Sequence, residues 1–156
     1  IAMRPITVQD VEKAQQLWGS GIVEIGAGQT WEEAHSRACS LLQALYRCDG
    51  SLLFCPTKAR IIQFRRTVSD SASHFVGRDP SHPEDQGFAL EPWREVRFDN
   101  IDIVINTECA LAMGNYTFLR ADGTELIAEY SLVYARDQGG KLRIQLHHSA
   151  LPYSPK

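Results

Sequence analysis

The sequence predicts one α+β domain in which helices come first and a sheet of long antiparallel strands follows. Two observations lead to this fold class. Apolar residues recur at helical spacing in the N-terminal third of the chain, and later segments alternate or run apolar between turn signals, as strands do. The chain has 156 residues, of which 44% are hydrophobic, so it can bury one core, and we expect a single domain over residues 1–156.

Threonine N-caps mark the predicted helices. Thr7 and Thr30 each open a capping box, in which a threonine and an acidic residue three positions ahead cap the first turn together. Glycines predict the ends of these helices, at Gly26–Gly28 and at Cys48–Gly50. A shorter helix is predicted over Thr67–Phe75.

The second half of the chain is predicted to be mostly strand. Asp122-Gly123 and Gly139-Gly140 are turn signals between strands. We expect strands over residues 51–55, 96–98, 101–107, 110–119, 125–136 and 141–151. A curved sheet that wraps a long helix leaves a pocket at its open end.

Composition argues against several classes of function. The net charge is −3 with no basic patch, which argues against a nucleic-acid partner. No apolar run approaches the roughly 20 residues that a membrane span needs. The 4 cysteines form no CxxC pair, so we expect reduced thiols and no zinc knuckle. Residue 1 is Ile, which we interpret as a chain trimmed from a longer precursor, and this leaves plastid and cytoplasm open as locations.

The last predicted strand, residues 141–151, carries two adjacent histidines within its alternating part, Leu142–Ala150. Side chains on a regular strand alternate between faces, so His148 shares the apolar face of Leu142 and should point inward, while His147 should point outward. Adjacent histidines on opposite faces do not ligate one ion, and we therefore expect no catalytic metal. The alternative for His148 is a hydrogen-bonded histidine of the core.

Four segments together resemble the iota class of carbonic anhydrases. LRIQLHHSALPY (Leu142–Tyr153) is similar to the closing strand of that class, whose signature is His-His-Ser-Ser. Leu52–Arg65 resembles its Pro-Thr-Lys segment, and Ser73–Asn100 resembles its Phe-Val-Gly, Gly-Phe-Ala and Pro-Trp segments. Ala110–Phe118 resembles the penultimate part of its sheet. The resemblance covers most of residues 50–153.

The resemblance implies a cone-shaped barrel of the NTF2-like kind, usually a homodimer, that hydrates CO2 reversibly to bicarbonate without a metal or another cofactor. By position, Thr57, His148 and Ser149 match catalytic residues of the class. Two positions depart from the pattern. Ala150 stands where the second signature serine is expected, and His74 stands where a tyrosine is expected before Phe-Val-Gly.

Hydration of CO2 without a metal needs a group that takes a proton from water. We expect His148 to be this general base, kept neutral by burial. Thr57 and His74 are expected to bind the substrate together with tyrosines of the sheet. The candidate tyrosines are Tyr116, Tyr130 and Tyr134, and the sequence does not decide which of them face the pocket. Because Ala150 lacks the signature hydroxyl, we expect weakened activity, since a lost transition-state hydrogen bond costs about 10²–10³ in rate.

Two other functions fit the same fold class. NTF2-like cones also serve as non-catalytic dimerisation modules, such as the hub of calmodulin-dependent kinases. Other cones are isomerases or cyclases, which usually place an Asp–His pair in the pocket. Thr57 and His148 favour the enzyme, and Ala150 and His74 favour a module that has lost activity.

Overall fold

The computed structural model describes residues 3–156, and its elements confirm the predicted α+β class. The helices are α1 (Val8–Gly26), α2 (Trp31–Leu45) and α3 (Val68–Val76). The strands are β1 (Leu53–Cys55), β2 (Trp93–Ile105), β3 (Cys109–Arg120), β4 (Glu125–Arg136) and β5 (Leu142–Ala150). A 3-10 turn at Phe88–Leu90 precedes β2.

The predicted helix starts are confirmed. Thr7, Thr30 and Thr67 each accept the backbone N–H of the residue three positions ahead, and Asp10 completes the capping box of α1. The end of α2 lies at Leu45, before the predicted stop, because the chain turns into an extended conformation at the next residue. The helix starts could be predicted from the sequence because a cap residue acts within one helical turn.

The five strands form one sheet in the order β1-β5-β4-β3-β2. β2 to β5 are an antiparallel meander, and β1 pairs parallel to β5 at the edge. The sheet is open, so the cone is not a closed barrel. The two strands predicted over 96–98 and 101–107 are one strand, β2, with a bulge at Ile101 that lets it continue.

The core lies between the helices and one face of the sheet, here called the inner face. Trp18 of α1 fills its centre, stacking on Tyr116 of β3 with ring centroids 5.5 Å apart. Phe98 and Phe118 meet the edges of the same indole. Aromatic side chains therefore dominate the packing around the closing strand.

A bulge in β5 reverses the predicted orientation of the two histidines. Val133 of β4 pairs with Leu146 and the next residue of β4 pairs with Ile144, which leaves Gln145 without a partner in the ladder. An extra residue in one strand shifts all later side chains to the opposite face. His147 is consequently buried, with 2% of its surface exposed, and His148 is exposed.

The prediction that His148 points inward and His147 outward is therefore wrong. The same shift places Ser149 on the inner face, where 3% of it is exposed, and Ala150 on the outer face with His148. Within residues 3–156 no helix has both the length and the apolar character needed to cross a membrane.

Candidate active site

Three hydroxyl groups meet where β1 and β5 end side by side. Thr57 follows β1, Ser149 lies on β5 and Tyr116 lies on β3. The Thr57 and Ser149 side-chain oxygens are 2.5 Å apart, and the Tyr116 hydroxyl donates to the Ser149 oxygen. We call Thr57, Tyr116 and Ser149 the hydroxyl cluster. Its members come from three separate elements, so the fold, and not local sequence, brings them together.

His147 lies directly beneath the hydroxyl cluster. Its Nε2 is 3.2 Å from the Tyr116 hydroxyl, and its Nδ1 is 2.8 Å from the hydroxyl of Tyr46. The indole N–H of Trp18 in turn donates to the Tyr46 hydroxyl at 2.8 Å. The imidazole stacks on Phe54 of β1 with centroids 4.8 Å apart, which fixes the plane of the ring.

Burial keeps all of these groups uncharged. It lowers the pKa of His147 to about 3, with smaller contributions from His74 and His148. Burial also raises the pKa values of Tyr116 and Tyr46 well above the usual value for tyrosine. The site at neutral pH is thus a set of neutral hydrogen-bond donors and acceptors in a medium of low dielectric constant, where directed dipoles act strongly.

His74 of α3 lies close to the hydroxyl cluster in the folded chain. Its Nε2 accepts the backbone N–H of Lys58, the residue that follows the threonine of the cluster, at 3.2 Å. Its Nδ1 is buried and has no partner among the described residues. Burial lowers the pKa of His74 to about 3. His74 and Lys58 line a cavity of about 400 Å³ together with Glu84, Phe88 and Trp93.

The segment that carries Thr57 is fixed by carboxylates. Glu84 accepts three successive backbone N–H groups, those of Arg60, Ile61 and Ile62. At the end of the segment, Arg65 forms a fully buried bidentate ion pair with Asp85, with N–O distances of 2.7 and 2.9 Å. Asp85 also accepts from Ser73, the neighbour of His74. These contacts hold Thr57 and α3 in one arrangement.

The predicted tyrosines all point to the inner face, but only Tyr116 joins the hydroxyl cluster. The Tyr130 hydroxyl donates to Asn100 at 2.7 Å, although its ring lies 5.0 Å from that of Tyr116. The Tyr134 hydroxyl is buried and finds no hydrogen-bond partner within the described part of the chain. The structure thus brings together Thr57, Tyr116 and Ser149 from the predicted set.

Comparison with known proteins identifies the family. Residues 9–151 match the family model described as metal-independent carbonic anhydrase. The chain belongs to this family. A metal-independent carbonic anhydrase of Nostoc sp. strain PCC 7120 is 37% identical over 161 residues, covering 98% of this chain and 77% of that protein.

Solved structures agree with this assignment. The crystal structure of a cyanobacterial iota-carbonic anhydrase complexed with bicarbonate has a TM-score of 0.94 and 36% identity, covering 99% of this chain and 98% of that one. A protein described as a calcium/calmodulin-dependent protein kinase II association domain, from Xanthomonas campestris, has a TM-score of 0.64 at 16% identity, with 99% and 95% covered. An NTF2-like protein of Salmonella enterica has a TM-score of 0.50 at 16% identity, with 94% and 96% covered. The last two share the cone fold.

No group of three His, Cys, Asp or Glu residues placed to hold a metal ion occurs within residues 3–156. Of the two departures from the iota-class pattern, Ala150 lies on the outer face and His74 lies beside the hydroxyl cluster.

Sequence reasoning missed three members of the site. His147 had one usable signal: alternation places it on the same face as Ser149, which the resemblance already placed in the site. Tyr46 and Trp18 gave no signal, because they come from the end of α2 and the middle of α1 and meet His147 only in the folded core.

Proposed function

We propose that this chain catalyses the reversible hydration of CO2 to bicarbonate at the hydroxyl cluster, with His147 as its support. The observation that carries this proposal is the series of three hydroxyls and one imidazole linked within 3.2 Å in the interior. CO2 and bicarbonate present only small oxygen atoms for recognition, and hydroxyl groups fixed on separate elements of the fold match them. The family assignment supports the same reaction.

The hydroxyl cluster stabilises charge as the reaction proceeds. The oxygen of a water molecule attacks the carbon of CO2, a C–O bond forms while one C=O π bond breaks, and negative charge develops on the two original oxygens. A fixed donor aimed at this charge lowers the barrier without reorganising, and removing such a donor typically costs about 10²–10³ in rate. The attacking water gives its proton to a second water, which carries it to solvent.

We assign His147, and not His148, as the functional histidine. His148 is exposed on the outer face and is out of reach of the hydroxyl cluster. His147 has a pKa of about 3, so it stays neutral at working pH and is a weak base toward water. Its role is to hold Tyr116 in place by a hydrogen bond.

The expected weakening by Ala150 loses its structural basis. That expectation required position 150 to share a face with the catalytic histidine. Position 150 instead pairs with Glu129 on the outer face, one residue beyond Ser149. We therefore propose that Ala150 leaves the hydration rate intact.

We propose that a second copy of the chain covers the outer face of the sheet. Apolar side chains on β2, β3 and β4 are exposed there: Val104, Leu111, Met113 and Ile127. A patch of this kind favours a two-fold interface, in which the same surface serves both subunits. Homodimer formation would remove it from water.

Stopped-flow CO2 hydration with a pH indicator tests the proposed function. The chain should exceed the buffer rate, and EDTA should leave that rate unchanged. Ser149→Ala serves as the matched variant with a disabled cluster. If the unmodified chain does not exceed the buffer rate, the proposal fails and the non-catalytic association module becomes the better reading.

A further inference from the structure

A continuous series of hydrogen bonds runs from the centre of α1 to the hydroxyl cluster. It begins at the indole N–H of Trp18, which is 2.8 Å from the Tyr46 hydroxyl. An indole nitrogen donates and never accepts. The Tyr46 oxygen must therefore be the acceptor in this contact, and its own proton remains to be placed.

The proton of Tyr46 has one destination. Tyr46 is 1% exposed, and the only other hydrogen-bond partner of its hydroxyl within residues 3–156 is His147 Nδ1, at 2.8 Å. Buried hydroxyl protons are almost always donated to an acceptor. Tyr46 thus donates to Nδ1. A neutral imidazole carries one proton, which in His147 must then lie on Nε2.

The remaining protons of the series can be assigned in the same way. Nε2–H of His147 faces the Tyr116 oxygen at 3.2 Å, and Tyr116 donates to Ser149. Ser149 then donates its own proton to the Thr57 oxygen, which is 2.5 Å away. From Tyr46 onward each member accepts one hydrogen and donates one, so the proton of Thr57 is left for a ligand.

We propose that Trp18 and Tyr46 are positioning residues that make this series run in one direction, so that Thr57 presents a donated hydrogen to a bare oxygen of CO2 or bicarbonate. This inference rests on the proposed function, because it assigns the direction of the donors in the same site. Burial supports it by keeping one proton on each member, since it raises the pKa of both tyrosines and lowers that of His147.

A one-directional series has a functional consequence. Successive hydrogen bonds polarise one another in a low dielectric medium, so the first donor strengthens the last. A ligand that offers an O–H or N–H at this point meets another hydrogen and is disfavoured. The site would thereby distinguish the unprotonated oxygens of bicarbonate from its hydroxyl.

The tautomer of His147 is the direct test. ¹⁵N-histidine NMR of the intact chain at neutral pH distinguishes a protonated from an unprotonated ring nitrogen, and loss of signals in His147→Gln assigns them. We expect Nε2 to carry the proton and Nδ1 to be unprotonated. Protonation at Nδ1 in the unmodified chain overturns the inference, and this measurement needs no variant to fold.

Tyr46→Phe, together with a control variant, tests the role of the first hydrogen bonds of the series. Tyr46→Phe removes the donor to Nδ1 and should populate the other tautomer. It should also lower the hydration rate about tenfold, less than the 10²–10³ expected for a direct donor. Trp31→Phe is the control, because Trp31 is half-buried at the margin of the core and its indole N–H donates to the Val76 carbonyl, away from the series. It should keep both the tautomer and the rate. A Tyr46→Phe variant with the original tautomer and rate overturns the inference.

The two proposals fail in different ways. An Nε2–H tautomer in a chain that does not hydrate CO2 rejects the proposed function and leaves the direction of the series intact. A chain that hydrates CO2 with His147 in the Nδ1–H form keeps the proposed function and overturns the inference.

Discussion

The inner and outer faces of β5 differ in chemistry although they alternate along one short segment. On the inner face, His147 and Ser149 are buried and hydrogen-bonded to tyrosines and to Thr57. On the outer face, His148 is exposed and Ala150 is part of the sheet's exterior. One bulge decides which histidine belongs to which face. The chemistry of the site therefore depends on strand register as much as on residue type.

Removing a hydroxyl from the inner face of β5 and adding one to its outer face should give the largest difference in hydration rate. Ser149→Ala removes a member of the hydroxyl cluster and should lower the hydration rate about 10²–10³-fold. Ala150→Ser restores the iota-class signature on the outer face and should change the rate by less than about twofold. Stopped-flow hydration measures both. A large gain in Ala150→Ser would show that position 150 acts in the site.

The stability of the fold at low pH gives the next contrast. His147 has a pKa of about 3 when folded, and an unfolded histidine has one near 6.5. Between these values the unfolded state binds more protons, so the free energy of unfolding decreases as pH falls below about 6.5, by up to about 1.4 kcal/mol per pH unit for this group. Above that range its contribution is constant.

Urea unfolding at several pH values between about 7 and about 4 measures this contribution of His147. His147→Gln should reduce the slope of unfolding free energy against pH by up to about 1.4 kcal/mol per pH unit, which corresponds to one proton. Burial of His74 contributes to the slope in the same direction, so part of the slope should remain in this variant. Equal slopes for His147→Gln and the unmodified chain would contradict the burial of a neutral His147.

The smallest expected effect on the site comes from the outer face. Met113→Asp places a charge in the exposed apolar patch and should shift the proposed dimer toward monomer in sedimentation velocity, because a buried unpaired charge is costly. The inner face should keep its hydrogen bonds. Gln138→Asp, on the exposed turn between β4 and β5, adds the same charge away from the patch and should leave the assembly unchanged. Identical sedimentation of both variants would reject this interface.

Structural features that depend on local interactions can be predicted from the sequence. The helix starts at Thr7, Thr30 and Thr67 follow from side chains that cap within one turn, and all three are confirmed. The bulge at Gln145 depends on how β5 pairs with β4, and no pattern within β5 announces it. Alternation was correct on each side of the bulge and wrong across it.

The candidate site divides in the same way. The resemblance to iota-class enzymes placed Thr57 and Ser149 in one site, and the structure brings their oxygens to 2.5 Å. His148 was assigned from a face that the bulge reverses. Tyr46 and Trp18 could not be assigned, because their roles arise from contacts between residues 28 and 101 positions apart.

We propose that catalysis takes place on the inner face of the sheet, with His147 as the functional histidine. Stopped-flow CO2 hydration by His147→Gln and His148→Gln, each checked for folding by circular dichroism, tests it most directly. We expect His147→Gln to lose activity by on the order of 10²-fold and His148→Gln to keep the rate of the unmodified chain. Loss of activity in His148→Gln with a normal rate in His147→Gln would contradict the claim.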